Sequence, residues 1–68
     1  MSEDFNMSMR KFLKQVGVTS QQEIEKAVRD AAQSGKLSGG RLKARMVLTI
    51  DEIGLSHTVE GDIATGDA

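Results

Sequence analysis

Between Arg41 and Ile50 the chain alternates strictly, with Leu42, Ala44, Met46, Leu48 and Ile50 falling on one face of an extended strand. After Asp51-Glu52-Ile53-Gly54 comes Leu55-Ser56-His57-Thr58-Val59-Glu60-Gly61-Asp62-Ile63. Setting Ile50 opposite Leu55 fixes everything else. Leu48 then faces His57, Met46 faces Val59, Ala44 faces Gly61 and Leu42 faces Ile63. On the other face Arg45 meets Glu60, Lys43 meets Asp62 and Val47 lies beside Thr58. A slip of one residue would send the apolar set to the wrong side and spoil both charge pairs. The pattern predicts an antiparallel hairpin with strands at 41–50 and 55–63. Gly54 supplies the positive φ that a four-residue connection needs near its end.

The N-terminal half reads as helical. Met9, Phe12, Leu13 and Val16 recur at i, i+3, i+4, i+7, and Phe5 extends the stripe backwards. Asp4, Asn6 or Ser8 can cap its start, and Gly17 can end it in a left-handed turn. Thr19 with Gln22, or Ser20 with Glu23, then forms a capping box for a second helix. Ile24, Ala27, Val28 and Ala31 repeat the spacing, and Gly35 is the stop signal. Glu25 precedes Arg29 by four residues, the favourable order for a helical ion pair. The expectation is two short helices, residues 6–16 and 20–34, and a Ser38-Gly39-Gly40 joint. Residues 1–4 and 65–68 should fray. Two helices laid on one face of the C-terminal antiparallel hairpin would bury both apolar stripes. The expected fold class is therefore α+β, order ααββ, one domain over 1–68 with an ordered part of about 5–64. Its core would comprise Met9, Phe12, Leu13, Val16, Ile24, Val28, Ala31, Leu42, Met46, Leu48, Ile50, Leu55, Val59 and Ile63.

That core is small. Of 68 residues 38% are hydrophobic, six of them Ala, with two Phe and no Trp, Tyr or Cys. A domain of this size buries only about 60% of its unfolded surface and is marginal. Without cysteine no disulfide or thiolate–metal staple can compensate. The acidic Met1-Ser2-Glu3-Asp4 start lacks the apolar run of a signal peptide. No apolar stretch approaches the roughly 20 residues of a membrane span. A soluble, cytoplasmic protein is the expectation.

Charge is segregated. All nine Lys and Arg lie between residues 10 and 45, where only Glu23, Glu25 and Asp30 oppose them, so that stretch carries +6. Residues 1–9 carry −2 and residues 46–68 carry −5, for a net −1. Such segregation can mark a basic surface for nucleic acid or two halves that attract on folding. The pairs Arg45–Glu60 and Lys43–Asp62 favour the second.

No motif specifies a reaction. His57 is the single histidine, and its register places it on the inner face among apolar neighbours, as a partly buried structural residue rather than a general base. Asp51, Glu52, Glu60, Asp62 and Asp67 lack the alternating spacing of a calcium loop. One His without Cys does not make a zinc site. Gly35-Lys36 lacks the upstream glycine of a phosphate loop, has Leu37 where Ser or Thr is needed, and lies at the wrong helix end for an anion. The chain is expected to be no enzyme, with no catalytic residue, cofactor or metal.

Helix, turn, helix and hairpin together resemble the later part of a winged helix-turn-helix, which implies that Gln21, Gln22 and Glu23 would lead a recognition helix. Gln can read adenine, but Glu23 opposes phosphate. The basic residues without an evident partner are Arg10, Lys11, Lys14, Lys36 and Arg41, the candidate contacts for a partner or for nucleic acid. The leading functional expectation is a non-catalytic protein-interaction module; a small nucleic-acid-binding protein is the alternative. A monomer is favoured over a homodimer joined edge to edge through strand 55–63, whose Ser56 and Thr58 tolerate close pairing.

The run Phe5-Asn6-Met7-Ser8-Met9-Arg10-Lys11-Phe12-Leu13-Lys14-Gln15-Val16-Gly17-Val18-Thr19-Ser20-Gln21 resembles the opening of a small proteobacterial family of uncharacterised proteins about 70 residues long. Gly54-Leu55, His57 and Val59-Glu60-Gly61 resemble its closing hairpin. The resemblance implies a bacterial, stand-alone small protein. It assigns no activity and therefore no functional residue.

Overall fold

The computed structural model describes residues 1–37 and 39–66. The chain forms one long helix and a two-stranded antiparallel hairpin, in the order α1 (Glu3–Gln33), β1 (Arg41–Ile50), a 3-10 turn (Asp51–Ile53) and β2 (Leu55–Ala64). The α+β class stands, but one helix replaces the expected pair. Two compact units result, Met1–Lys36 and Leu37–Ala68.

Helix α1 begins earlier than the periodicity suggested. Ser2 is the N-cap; its side-chain oxygen accepts from the Phe5 N–H at 3.1 Å. Glu3 and Asp4 then occupy the first turn, where the helix dipole favours acidic side chains. The expected caps Asp4, Asn6 and Ser8 are inside the helix, and the expected fraying of residues 1–4 stops at Ser2.

Gly17 does not end the helix. It has no positive φ, and the ladder runs through it. A glycine in a helix interior costs about 1 kcal/mol relative to Ala. Stopping there would orphan up to four carbonyls and four N–H groups, which is the larger penalty. Thr19 forms no capping box: its hydroxyl donates back to the Gln15 carbonyl at 2.8 Å, as interior threonines do. A sequence signal for continuity was present. Phe5, Met9, Leu13, Val16, Ser20, Ile24, Ala27 and Ala31 follow a 4-4-3 spacing without a phase jump across Gly17. A repeat of 11 residues holds one stripe on one face of an uninterrupted helix.

The stop at Gly35 is as expected. Ser34 is the C-cap and Gly35 has φ 74°. The Gly35 N–H donates to the Ala32 carbonyl at 3.3 Å and the Lys36 N–H to the Ala31 carbonyl at 2.8 Å. Those two bonds are the Schellman pattern, which needs the left-handed residue that glycine supplies.

The hairpin has the register read from the sequence at every position: Leu42 opposite Ile63, Lys43 opposite Asp62, Ala44 opposite Gly61, Arg45 opposite Glu60, Met46 opposite Val59, Val47 opposite Thr58, Leu48 opposite His57 and Ile50 opposite Leu55. β2 runs one residue further than expected, pairing Ala64 with Arg41. Gly54 closes the connection at φ 66°, its N–H donating to the Asp51 carbonyl at 3.1 Å. Thr65, expected to fray, donates its N–H to the Gly40 carbonyl at 2.8 Å.

The expected core is where sequence and structure part. Among the described residues none is buried. Val16, Val28, Ala31, Leu42, Leu48 and Ile63 are half-buried, whereas Met9, Phe12, Leu13, Ile24, Met46, Ile50, Leu55 and Val59 are exposed. Alternation and helical spacing show which side chains share a face; they do not show what, if anything, lies against that face.

Candidate interaction surface

Two apolar faces dominate the described surface. The first runs along α1, whose 31 residues span about 46 Å at 1.5 Å per residue. Phe5, Met9, Leu13, Val16, Ile24, Ala27 and Ala31 share it, with Phe12 on its shoulder at 51% exposure. The second is the apolar face of the hairpin, where Met46 and the facing Val59 are exposed at 44% and 53%. Scattered exposed apolar residues are ordinary, and it is their alignment along one face that sets these two apart.

The five candidate basic contacts do not converge on one site. Arg10, Lys11 and Lys14 are neighbours within about one turn of α1; Lys11 lies opposite the apolar stripe, whereas Arg10, three residues before Leu13, flanks it. Lys36 lies beyond the Schellman turn, roughly 30 Å further along the axis at the rise of a helix. Arg41 belongs to the hairpin and is not free. Its guanidinium lies 3.6 Å from the Asp62 carboxylate, the one ion pair among the described residues. Asp62 is the diagonal neighbour of Arg41 and the direct partner of Lys43. The longer Arg side chain takes the carboxylate, which corrects the reading of Arg41 as unpartnered. Both groups are well exposed, so the pair contributes at most about 1 kcal/mol.

Neither Glu25–Arg29 nor Lys26–Asp30 closes into an ion pair. Glu25 instead accepts a long hydrogen bond from Gln21 Nε2 at 3.5 Å. Gln21, Gln22 and Glu23 sit mid-helix rather than at a helix start. The resemblance to a winged helix-turn-helix therefore does not survive: the turn between its two helices is absent.

His57 keeps its place opposite Leu48 but is exposed, not half-buried. Its strand neighbours Ser56 and Thr58 point to the other face. Among the described residues no three His, Asp or Glu side chains gather as metal ligands. Asp67 lies outside the described residues. No helix is long and apolar enough to cross a membrane.

The chain matches no curated protein and no solved structure. Residues 1–66 match the model of a family described as "Family of unknown function (DUF6494)". That match spans both the helix and the hairpin, and the chain belongs to this family.

Proposed function

We propose that this chain is a non-catalytic protein-interaction module of a bacterial cytoplasm. One observation carries the reading: two contiguous apolar faces, on α1 and on the hairpin, and no buried residue among those described. Isolated helices are marginal in water, and so are isolated two-stranded hairpins. Ordered faces of this kind need apolar cover, and a protein surface supplies it. Acid–base chemistry, by contrast, needs paired titratable groups in a dry cleft. His57 has an aliphatic partner and an open setting. A His57→Gln variant should therefore keep the cellular role.

The alternative, nucleic-acid binding, rests on the Arg10, Lys11 and Lys14 ridge, which has no ion-paired acid. It has no aromatic on that ridge to stack against bases.

Affinity capture with tagged wild-type chain, Phe12→Glu and a triple Arg10→Gln, Lys11→Gln, Lys14→Gln variant tests the proposal. Retention of a specific protein by wild type and the triple variant, but not by Phe12→Glu, supports it. Binding of labelled DNA or RNA that falls steeply between two salt concentrations, and is lost in the triple variant, would replace it with the alternative.

A further inference from the structure

We infer that the outer edge of β2 pairs with the same edge of a second copy, antiparallel and centred on Val59, so that two hairpins make one four-stranded sheet. This goes beyond the interaction-module reading, which concerns the apolar faces and not the strand edges. The sheet has two strands, so the far side of β2 is an edge. Two strands are marginal in water; three or more with an apolar face are better able to stand.

The ladder decides which groups that edge offers. Thr65 donates its N–H to the carbonyl of Gly40, which continues the register opposite it. Rungs of an antiparallel pair alternate between bonded and non-bonded. Leu55, His57, Val59, Gly61 and Ile63 therefore bond β1, and Ser56, Thr58, Glu60, Asp62 and Ala64 point their N–H and C=O groups outward. Two such edges can bond only if even-numbered residues meet even-numbered ones. Reversal about Val59 satisfies this and uses the strand from Leu55 to Ile63 in full.

In that register Val59 meets Val59, Leu55 meets Ile63 and His57 meets Gly61 on the apolar face. On the other face Thr58 meets Glu60 and Ser56 meets Asp62, so each carboxylate has a hydroxyl that can donate to it. Asp62 keeps Arg41 on its other side, and Glu60 has Arg45 across the hairpin. The two Glu60 side chains are diagonal neighbours across the axis, the one like-charge approach. Centring on Glu60 would set those carboxylates face to face. Centring on Thr58 would carry Ile63 past the start of the partner strand, into its turn.

Gly61 singles out this seam. A glycine inside a strand weakens it and often marks where another backbone comes close. Gly61 has no positive φ, and a Cβ on it would meet nothing within 4 Å. Its own hairpin gives no reason for it. Across the seam it faces the exposed His57, whose ring can lie over the bare backbone, as aromatic side chains do opposite strand glycines. That role is packing, and glutamine can fill it. Reversing β1 about Met46 instead sets Arg45 beside Val47, which cannot hydrogen-bond it, and involves no glycine. Pairing β1 with β2 of another copy repeats the hairpin register, leaves Gly61 beside Ala44, and leaves free edges for open-ended growth.

The chain has no cysteine, so engineered thiols read the seam directly. Residues facing on a non-bonded rung have Cα atoms about 4.5 Å apart, within the roughly 4.4–6.8 Å of a disulfide. Val59 and Met46 share one rung of the hairpin and are both exposed. In the proposed sheet the two Val59 meet, whereas the two Met46 lie three strand spacings apart, about 14 Å. Purified full-length Val59→Cys should oxidise to a linked pair, and Met46→Cys should not. Linking of Met46→Cys alone would mean a β1 seam, and linking only in a mixture of the two variants would mean an open ladder. Either result, or no link at all, would overturn the inference.

Sedimentation of the wild-type chain should give twice the chain mass. Val47 and Thr58 face each other on one rung and point their N–H groups to opposite edges. A proline at either position deletes an outward donor and leaves the hairpin's own ladder intact. Thr58→Pro should therefore halve the mass, and Val47→Pro should leave it doubled. A one-chain wild-type mass up to millimolar concentration, or a doubled mass that survives Thr58→Pro, would overturn the seam. Met46–Val59 contacts in NMR spectra report whether each proline variant keeps its hairpin; if one does not, the cysteine variants decide. None of these results touches capture of a different protein through Phe12, so failure of the seam is separable from failure of the module reading.

Discussion

The helix and the hairpin are of similar residue number, yet they are encoded differently. In the hairpin every residue of β1 has one named partner in β2, and two independent patterns agree on that partner: apolar on one face, charge on the other. An error in one would be exposed by the other. In α1 each residue bonds a residue four positions away, whatever its identity, and the stripe carries no statement of where the element must end. Register is therefore a strongly determined quantity, and helix length a weakly determined one. Gly17 shows the consequence. Glycine is enriched just past helix ends and also tolerated within helices, and only the unbroken 4-4-3 phase separates the two cases.

The sharpest way to break this comparison is Gly17→Pro. A proline there removes a ladder bond and clashes with the preceding turn, at a cost of about 3 kcal/mol or more. Helical circular dichroism should fall by a large fraction. Met46–Val59 cross-strand contacts in NMR spectra should persist if the hairpin stands by itself. Their loss would show that the two units fold as one.

The corresponding change in the hairpin is Gly54→Val. A β-branched residue at φ 66° is strained by roughly 1–2 kcal/mol. Ile50–Leu55 contacts should weaken or vanish while the helical signal stays. A hairpin indifferent to this substitution would mean that the cross-strand pairs, not the turn, set the register.

Gly17→Ala should act in the opposite sense. A Cβ at that position meets no atom within 4 Å, so the helix should gain about 1 kcal/mol. Thermal melts followed at the helical band would show it; a destabilised protein would mean that something approaches Gly17 closely. The smallest effect belongs to Asp62→Asn. It removes the exposed Arg41 pair and should cost less than about 0.5 kcal/mol, an effect that fades with salt. A larger loss would make the charge face, rather than the apolar face, the source of register.

What was legible follows the same division. The strands, their pairing, the Gly54 turn and the Gly35 stop could all be read, because each depends on residues close in sequence or on a pairing that checks itself. The N-cap at Ser2 was missed because Asp4, Asn6 and Ser8 have equal capping chemistry, and the sequence does not rank them. Arg41 looks unpartnered in the sequence because its direct cross-strand neighbour is Ala64, and its acid, Asp62, is the diagonal one. Exposure of His57 and of the expected core was invisible for a different reason. Amphipathic spacing describes one face of one element, and burial requires a second surface. The candidate site inherits this. The stripe of α1 could be listed residue by residue from its spacing, but the exposure of its side chains could not.

The bond from the Thr65 N–H to the Gly40 carbonyl has a mechanical corollary. It closes the ladder at the end remote from Gly54, so the chain enters and leaves the hairpin at the same place. Tension applied between the helix and the C-terminal end would load the Thr65–Gly40 bond first, then the Arg41–Ala64 pair, and so on toward the turn. The ladder would open like a zipper, one rung at a time, at low force. Were the same strands pulled from opposite ends, all their rungs would share the load in shear. A partner that holds the hairpin while the helix is drawn away would therefore meet little resistance from the strands, and the first rung sets the threshold.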